Sequence, residues 1–154
     1  MRAMSKIVRT VTNIIYPFIL IFGLYIIMHG HLTPGGGFQG GAVIASGFAL
    51  LAIAYGAVKI KDKLKTTHLS ITECSGLLAF IGLAFLGMGT VFFYNFLAGK
   101  GGLFGNIPHP MGINPGDLNT AGVLPLMNLA VGLEVLSGIG LIVLTMFYGV
   151  KEGR

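Results

Sequence analysis

Charge is what this sequence has least of. Only 10% of its 154 residues are charged, against 54% hydrophobic, and the mean hydropathy is +0.84. A water-soluble domain carries about 25% charged residues. Too little charge remains to clothe a soluble surface, so a soluble globular protein is excluded. Cysteine is nearly absent as well. The single Cys74 rules out an internal disulfide and an iron–sulfur ligand set, and leaves the redox compartment undecided. No Gly-Lys-Ser/Thr phosphate loop and no strand-flanked dinucleotide fingerprint occur. Any redox or nucleotide chemistry would therefore belong to partners, and an isolated enzyme is not expected.

What the chain does have is apolar length. The runs 10–28, 38–58, 71–97 and 123–150 each match the about 20 apolar residues that a helix needs to cross a hydrocarbon core. Backbone groups in lipid must be satisfied internally, which selects helix over loop or open sheet. The expected fold is an all-α membrane protein of four transmembrane helices, one integral domain over 1–154, with no soluble domain at either end. The first run is longer than a signal-peptide core, and His29-Gly30-His31 offers no small-x-small cleavage site.

Orientation follows from the basic residues. Arg2, Lys6, Arg9, Lys59, Lys61, Lys63, Lys65, Lys151 and Arg154 fall on one side of the spans, and only Lys100 on the other. The positive-inside rule then places both termini and the lysine loop in the cytoplasm of a multi-pass cell-membrane protein. The net charge of +5 reads as an orientation signal rather than a nucleic-acid footprint.

Arg2, Lys6, Arg9, Asn13 and Tyr16 recur at helical spacing on one face of the first span. They read as a snorkelling, headgroup-facing end, with a docking face for a neighbouring subunit as the alternative. Pro17 interrupts that helix and removes a donor from the Asn13 carbonyl, which the Asn13 side chain is placed to offset. Ser70 and Glu73 have the S-x-x-E spacing of a capping box ahead of the third run. Glu73 is thus either a cap or a carboxylate at the entrance of an ion path. The long loop after the third run, "AGKGGLFGNIPHPMGINPGDLNT", is of a length usually functional or covered. His109 and Asp117 are weak ion-exit candidates there, a packing loop is the plainer reading, and Thr120 is placed to cap the fourth helix with Pro125 in its first turn. Small residues recur within the spans: Gly41, Ala45 and Ala49; Gly76, Gly82, Gly87 and Gly89; Gly132, Gly138 and Gly140. They permit close helix approach, as in a chain packed on several sides within something larger.

The most unusual stretch is "HGHLTPGGGFQGG", residues 29–41. A phosphate loop is disfavoured for want of a preceding strand, and His29-x-His31 supplies only two metal ligands. A structural joint fits better. His29, His31, Pro34, Gly35, Gly36, Gly37, Gln39, Gly40 and Gly41 combine a stiffened turn with glycines that let another backbone come close. Irregular backbone at membrane depth is tolerated only against protein or a wet cavity.

The stretch "HGHLTPGGGFQGGAVIASG", with the lysine-bearing loop and "NLAVGLEVLSG" in the last span, closely resembles the B-type subunit of Mrp-family multisubunit cation/proton antiporters. That subunit type also occurs as a module of archaeal membrane-bound hydrogenases and related sulfur-reducing complexes. The resemblance covers nearly the whole chain. It implies a non-catalytic subunit of a sodium/proton-translocating module, partnered by large complex-I-like subunits that carry the proton channels. It also implies that the small subunits help build a sodium path, with Na+ and H+ as the transported ions and no cofactor held by this chain. Antiporter members often carry a basic residue where this chain has Glu134, a departure that points to a relative associated with a redox complex.

Glu134 lies eleven residues beyond Val123 and sixteen before Val150, near the bilayer midplane. An unpaired ionised carboxylate is costly there, so it faces a partner, meets water or carries a proton. Ala130, Val131, Ser137 and Gly138 are its helical neighbours. Glu134, Ser137 and Glu73 are therefore the candidates for an ion pathway or for inter-subunit pairing. Two other functions compete. A purely structural or assembly subunit of a respiratory complex predicts that Glu134 can change without altering ion flux. A small self-contained exporter typically places its glutamate in the first helix, where this chain has none.

Overall fold

The computed structural model describes residues 4–56, 65–89, 91–97 and 121–152. Arg2, Lys59, Lys61, Lys63, Lys100, His109, Asp117, Thr120 and Arg154 lie outside the described residues. The described chain forms four helices: α1 (Lys6–Met28), α2 (Gly36–Tyr55), α3 (Thr66–Leu86) and α4 (Leu124–Glu152). All four are long and apolar enough to cross a membrane, α4 over Leu124–Phe147.

Local chemistry sets the ends of these helices, and in two places it departs from the sequence reading. The first is the capping box. α3 starts at Thr66 with Lys65 as its N-cap, so Ser70 and Glu73 sit inside the helix. The Lys65 carbonyl already accepts the His68 and Leu69 N–H groups at 3.0 and 3.4 Å, so the donors at the true helix start lie earlier than a box at Ser70 could reach. The hydroxyls of Thr72 and Ser75 bond back to the carbonyls of His68 and Thr72, at 2.8 and 2.7 Å, which satisfies them within the helix.

The second departure is at the other end of α3. The apolar run to Leu97 is not one span: the helix stops at Leu86, with Gly87 as its C-cap. The chain then folds back, the Phe93 N–H reaching the Ala84 carbonyl at 3.3 Å. Gly87 permits this because the Tyr94 backbone occupies the space a Cβ there would need. Phe80 meets Phe93 at 5.7 Å and Phe85 meets Phe92 at 5.2 Å between ring centroids, so aromatic ring contacts replace further helix. Asn95 then ties this fold-back to the start of α4. Its amide donates to the Ala121 carbonyl at 2.8 Å and its oxygen accepts the Val123 N–H at 2.9 Å.

The polar stripe on α1 also has a partner within the chain. Asn13 accepts a 2.7 Å hydrogen bond from the Tyr55 hydroxyl at the end of α2, rather than attending to the backbone near Pro17. Tyr16 packs against Phe48 and over Gly47. The Asn13–Tyr16 part of the stripe is therefore an α1–α2 contact and not a headgroup face.

The helices do not close into a bundle. α2 packs along both α1 and α4, α3 packs on α4, and α1 touches α4 only slightly. The order across the molecule is α1–α2–α4–α3, an open row with α2 and α4 in the middle. At its glycines α2 meets both neighbours backbone to backbone. Gly40 and Gly47 face α1, where a Cβ on Gly40 would come within 2.7 Å of the Gly23 carbonyl. Gly37 and Gly41 face α4, and a Cβ on Gly41 would lie 2.7 Å from the Gly132 carbonyl. Without a hydrophobic force between helices in lipid, such close approach and its dispersion contacts hold the row together.

Gly41→Ala should therefore destabilise the chain by about 1–3 kcal/mol, the usual cost of overpacking. Gly149→Ala, which adds its methyl to open space within α4, should cost nothing and gain up to about 1 kcal/mol of helix propensity. Apparent melting temperatures in mild detergent measure the difference.

Candidate ion-path interface

The joint between α1 and α2 is closed by its own residues. His29 caps α1; its carbonyl accepts the Leu32 and Thr33 N–H groups at 2.9 and 3.0 Å and the Thr33 hydroxyl at 3.1 Å. Its ring stacks on Tyr25 with centroids 4.0 Å apart, and Nδ1 lies 3.2 Å from the Tyr25 carbonyl. His31 is half-buried in the same turn, and Pro34 is exposed. Gly35 and Gly36 then take φ of +136° and +67°, which L side chains adopt only under strain, and the Gln39 side chain folds over Gly35. Among the described residues no group of three or more His, Cys, Asp or Glu gathers as a metal site.

This joint grips one residue that the sequence reading did not single out. Added Cβ atoms on Gly30 and Gly36 would come within 2.8 and 3.0 Å of the Asn128 side chain, and Gly37 lies on the Asn128 carbonyl. Glycines from both sides of the turn thus enclose the one amide in the first turns of α4. Its presence in an otherwise apolar stretch, "LPLMNLAVG", was the available signal. The effect is to fix the height of α4 against α1 and α2.

Across α4, on the side away from α2, lie the two glutamates. Glu134 falls near the middle of the apolar window Leu124–Phe147. It sits opposite Gly76 of α3, where a Cβ would stand 3.0 Å from the Glu134 Cβ and 2.9 Å from the Ala130 carbonyl. Glu73 reaches the opposite way: a Cβ on Gly138 would be 3.3 Å from the Glu73 Oε1. Each glutamate therefore faces a glycine of the other helix, Glu73-x-x-Gly76 on α3 against Glu134-x-x-x-Gly138 on α4. The two side chains start about one helical turn, or ~5 Å, apart along the seam. Both are half-buried, and neither has a hydrogen bond or ion pair to another of the described residues.

Ser137, only 1% exposed, lies on the same stretch of α4. Its hydroxyl donates to the Leu133 carbonyl at 2.8 Å. Its proton is thereby committed to its own helix, and only oxygen lone pairs remain for another ligand. The structure thus brings Glu73 and Glu134 to one seam between α3 and α4, with Ser137 buried about one turn from Glu134 on α4. His29, His31 and the glycine joint belong to the α1–α2–α4 contact instead. The seam can hold protons on its carboxyls or attract a cation, and glycines opposite the carboxylates leave space for either. Gly76→Ala should therefore open this seam at a cost of about 1–3 kcal/mol, because the added methyl would stand 2.9 Å from the Ala130 carbonyl and 3.0 Å from the Glu134 backbone nitrogen. The apparent melting temperature in mild detergent reads this out.

Comparison with known proteins agrees with this architecture. A family model described as a domain related to the MnhB subunit of Na+/H+ antiporters matches residues 7–144. An uncharacterized protein of Methanocaldococcus jannaschii is 40% identical over 121 residues, which cover 76% of this chain and 42% of that protein. A putative antiporter subunit of Staphylococcus saprophyticus, mnhB2, is 35% identical over 81 residues, or 53% of this chain and 57% of that one. Among solved structures, a chain of the membrane-bound sulfane sulfur reductase, an archaeal respiratory membrane complex, superposes with a TM-score of 0.69 at 30% identity. That match covers 93% of this chain and 58% of the other. The chain thus spans about half the length of the relatives it matches. With the match running from the start of α1 into the last turns of α4, the chain belongs to the family related to the MnhB subunit of Na+/H+ antiporters.

Proposed function

We propose that this chain is a non-catalytic membrane subunit of an Mrp-type multisubunit Na+/H+ antiporter module. Its observed family and the Glu73–Glu134 seam carry the reading. Two half-buried carboxylates inside the spans are expensive, and neither is used to hold the four helices together. Ion transfer uses such groups. The residue roles are Glu134 as the midplane carboxylate, Glu73 as the carboxylate one turn nearer the lysine loop, and Ser137 as a neighbouring oxygen. The glycine joint from His29 to Gly41 serves packing rather than ion contact. Sodium as the exchanged cation follows from the family's description.

The host is a larger complex with complex-I-like proton-channel subunits. The likeness to a chain of a respiratory sulfur reductase supports a redox-coupled host, with all redox chemistry in other subunits and no cofactor on this one. The chain sits in the cell membrane with both termini and the lysine loop in the cytoplasm, as nine of ten basic residues on one side require. A purely structural subunit is the second reading, favoured by the open row of helices, which leaves α1 and α3 largely uncovered.

Glu134→Gln separates the two. In vesicles holding the intact complex it should lower sodium-dependent proton exchange by about tenfold or more, since positioned proton-transfer groups commonly contribute at least that much. Subunit stoichiometry should be unchanged on a native gel. Wild-type exchange by the fully assembled variant would make Glu134 structural.

A further inference from the structure

The face of α3 and α4 above the glutamates carries an open apolar groove of about 600 Å³. Its walls include Ala79, Gly82 and Leu86 of α3 and Leu129, Ala130 and Leu133 of α4. We infer that this groove receives a transmembrane helix of a partner subunit, one that carries a lysine, arginine or histidine level with Glu134. The inference rests on the reading of the chain as one subunit of a larger module, but not on any role of Glu134 in ion flux.

Three observations carry it. The first is Gly82. Elsewhere in the spans a glycine makes room for a neighbour within the chain, as Gly37, Gly41, Gly76 and Gly132 do, whereas a Cβ on Gly82 would meet nothing within 4 Å. Glycine inside a helix costs stability relative to alanine, and none of the described residues offsets that cost here. Ser75, Ala79 and Gly82 are spaced by four and three residues, which sets small residues along one face where another helix can approach closely. A lipid tail needs no such clearance.

The second observation is charge. Ala130 lines the groove, and Glu134, half-buried with no partner among the described residues, follows it by one turn of α4. A helix seated in the groove therefore passes within about a turn of a carboxylate. A basic side chain on the incoming helix supplies what an acyl chain cannot. A second copy of this chain docked by the same face would bring two such carboxylates together, which like-charge repulsion disfavours. The third observation is length: this chain spans 42% of its Methanocaldococcus relative and 58% of the sulfur reductase chain. Those polypeptides are longer than the stretch they share with this chain, so each carries further sequence that can pack on it.

A photo-cross-linking residue at Gly82, in the complex purified from its native membrane, tests this. The expected adduct is a peptide from a membrane-spanning segment of another subunit, with a basic residue within two turns of the linked position. Its yield should fall by about tenfold or more in Glu134→Gln even though the subunits stay together on a native gel, because a half-made charge pair releases this one helix from the groove and not its subunit from the complex. Melting of the Glu134→Gln complex monitors whether the chain itself remains folded. Adducts to lipid alone, to a second copy of this chain, or to a helix without a basic residue would each overturn the inference. So would an undiminished yield in Glu134→Gln. If that variant exchanges ions normally but loses the cross-link, the ion-path reading fails and the docking site stands.

Discussion

Everything in this fold depends on how closely α2 approaches its neighbours. Gly40 lies against the backbone of α1 and Gly41 against that of α4, so at these positions three helices meet backbone to backbone. Water supplies no drive for such contact inside a bilayer. Dispersion and the removal of bulk do the work instead. The price is that each contact fails if a single methyl is added. The turn at 29–35 reinforces the same junction, because its glycines enclose Asn128 and so fix α4 along its axis.

Once α4 is held from one side, its opposite face is free to be functional. Among the described residues α3 attaches to the row chiefly through α4, and its seam with α4 contains both membrane glutamates. A carboxylate in a closed apolar core would force either protonation or an internal cation. Here each carboxylate faces a glycine on a helix at the edge of the row. The arrangement gives room for a proton, a water or a cation, and it lets a neighbouring subunit reach the same groups. An open row suits a component of a larger assembly better than a self-sufficient transporter, which must enclose its own path.

Much of this was legible in the sequence. Apolar run lengths announced four spans because the bilayer thickness is a fixed ruler, and the density of glycine in 35–41 announced a backbone contact. Glu134 was legible because an acid at that depth has few cheap explanations. Glu73 was harder to place. Ser70-x-x-Glu73 satisfies the capping pattern, and only the start of α3 at Thr66 shows that the pattern lies within the helix. Its pairing with Gly138 depends on the register between α3 and α4, which no local signal encodes. The fold-back after Leu86 was hidden for a similar reason: Val91–Leu97 is as apolar as a span, but Phe92 and Phe93 turn back onto Phe85 and Phe80 of α3 instead of extending the helix. Asn128 and Asn95 went unnoticed because their partners are distant in sequence, at 30–37 and 121–123.

The central claim is that Glu73 and Glu134 form one functional seam. A double-mutant cycle tests it most directly, with sodium-dependent proton exchange measured for Glu73→Gln, Glu134→Gln and the double variant in vesicles of equal complex content. Residues that serve a single step are strongly non-additive. The account predicts that the double variant is no slower than the slower single one. Losses that multiply independently, or a Glu73→Gln variant indistinguishable from wild type, would contradict it.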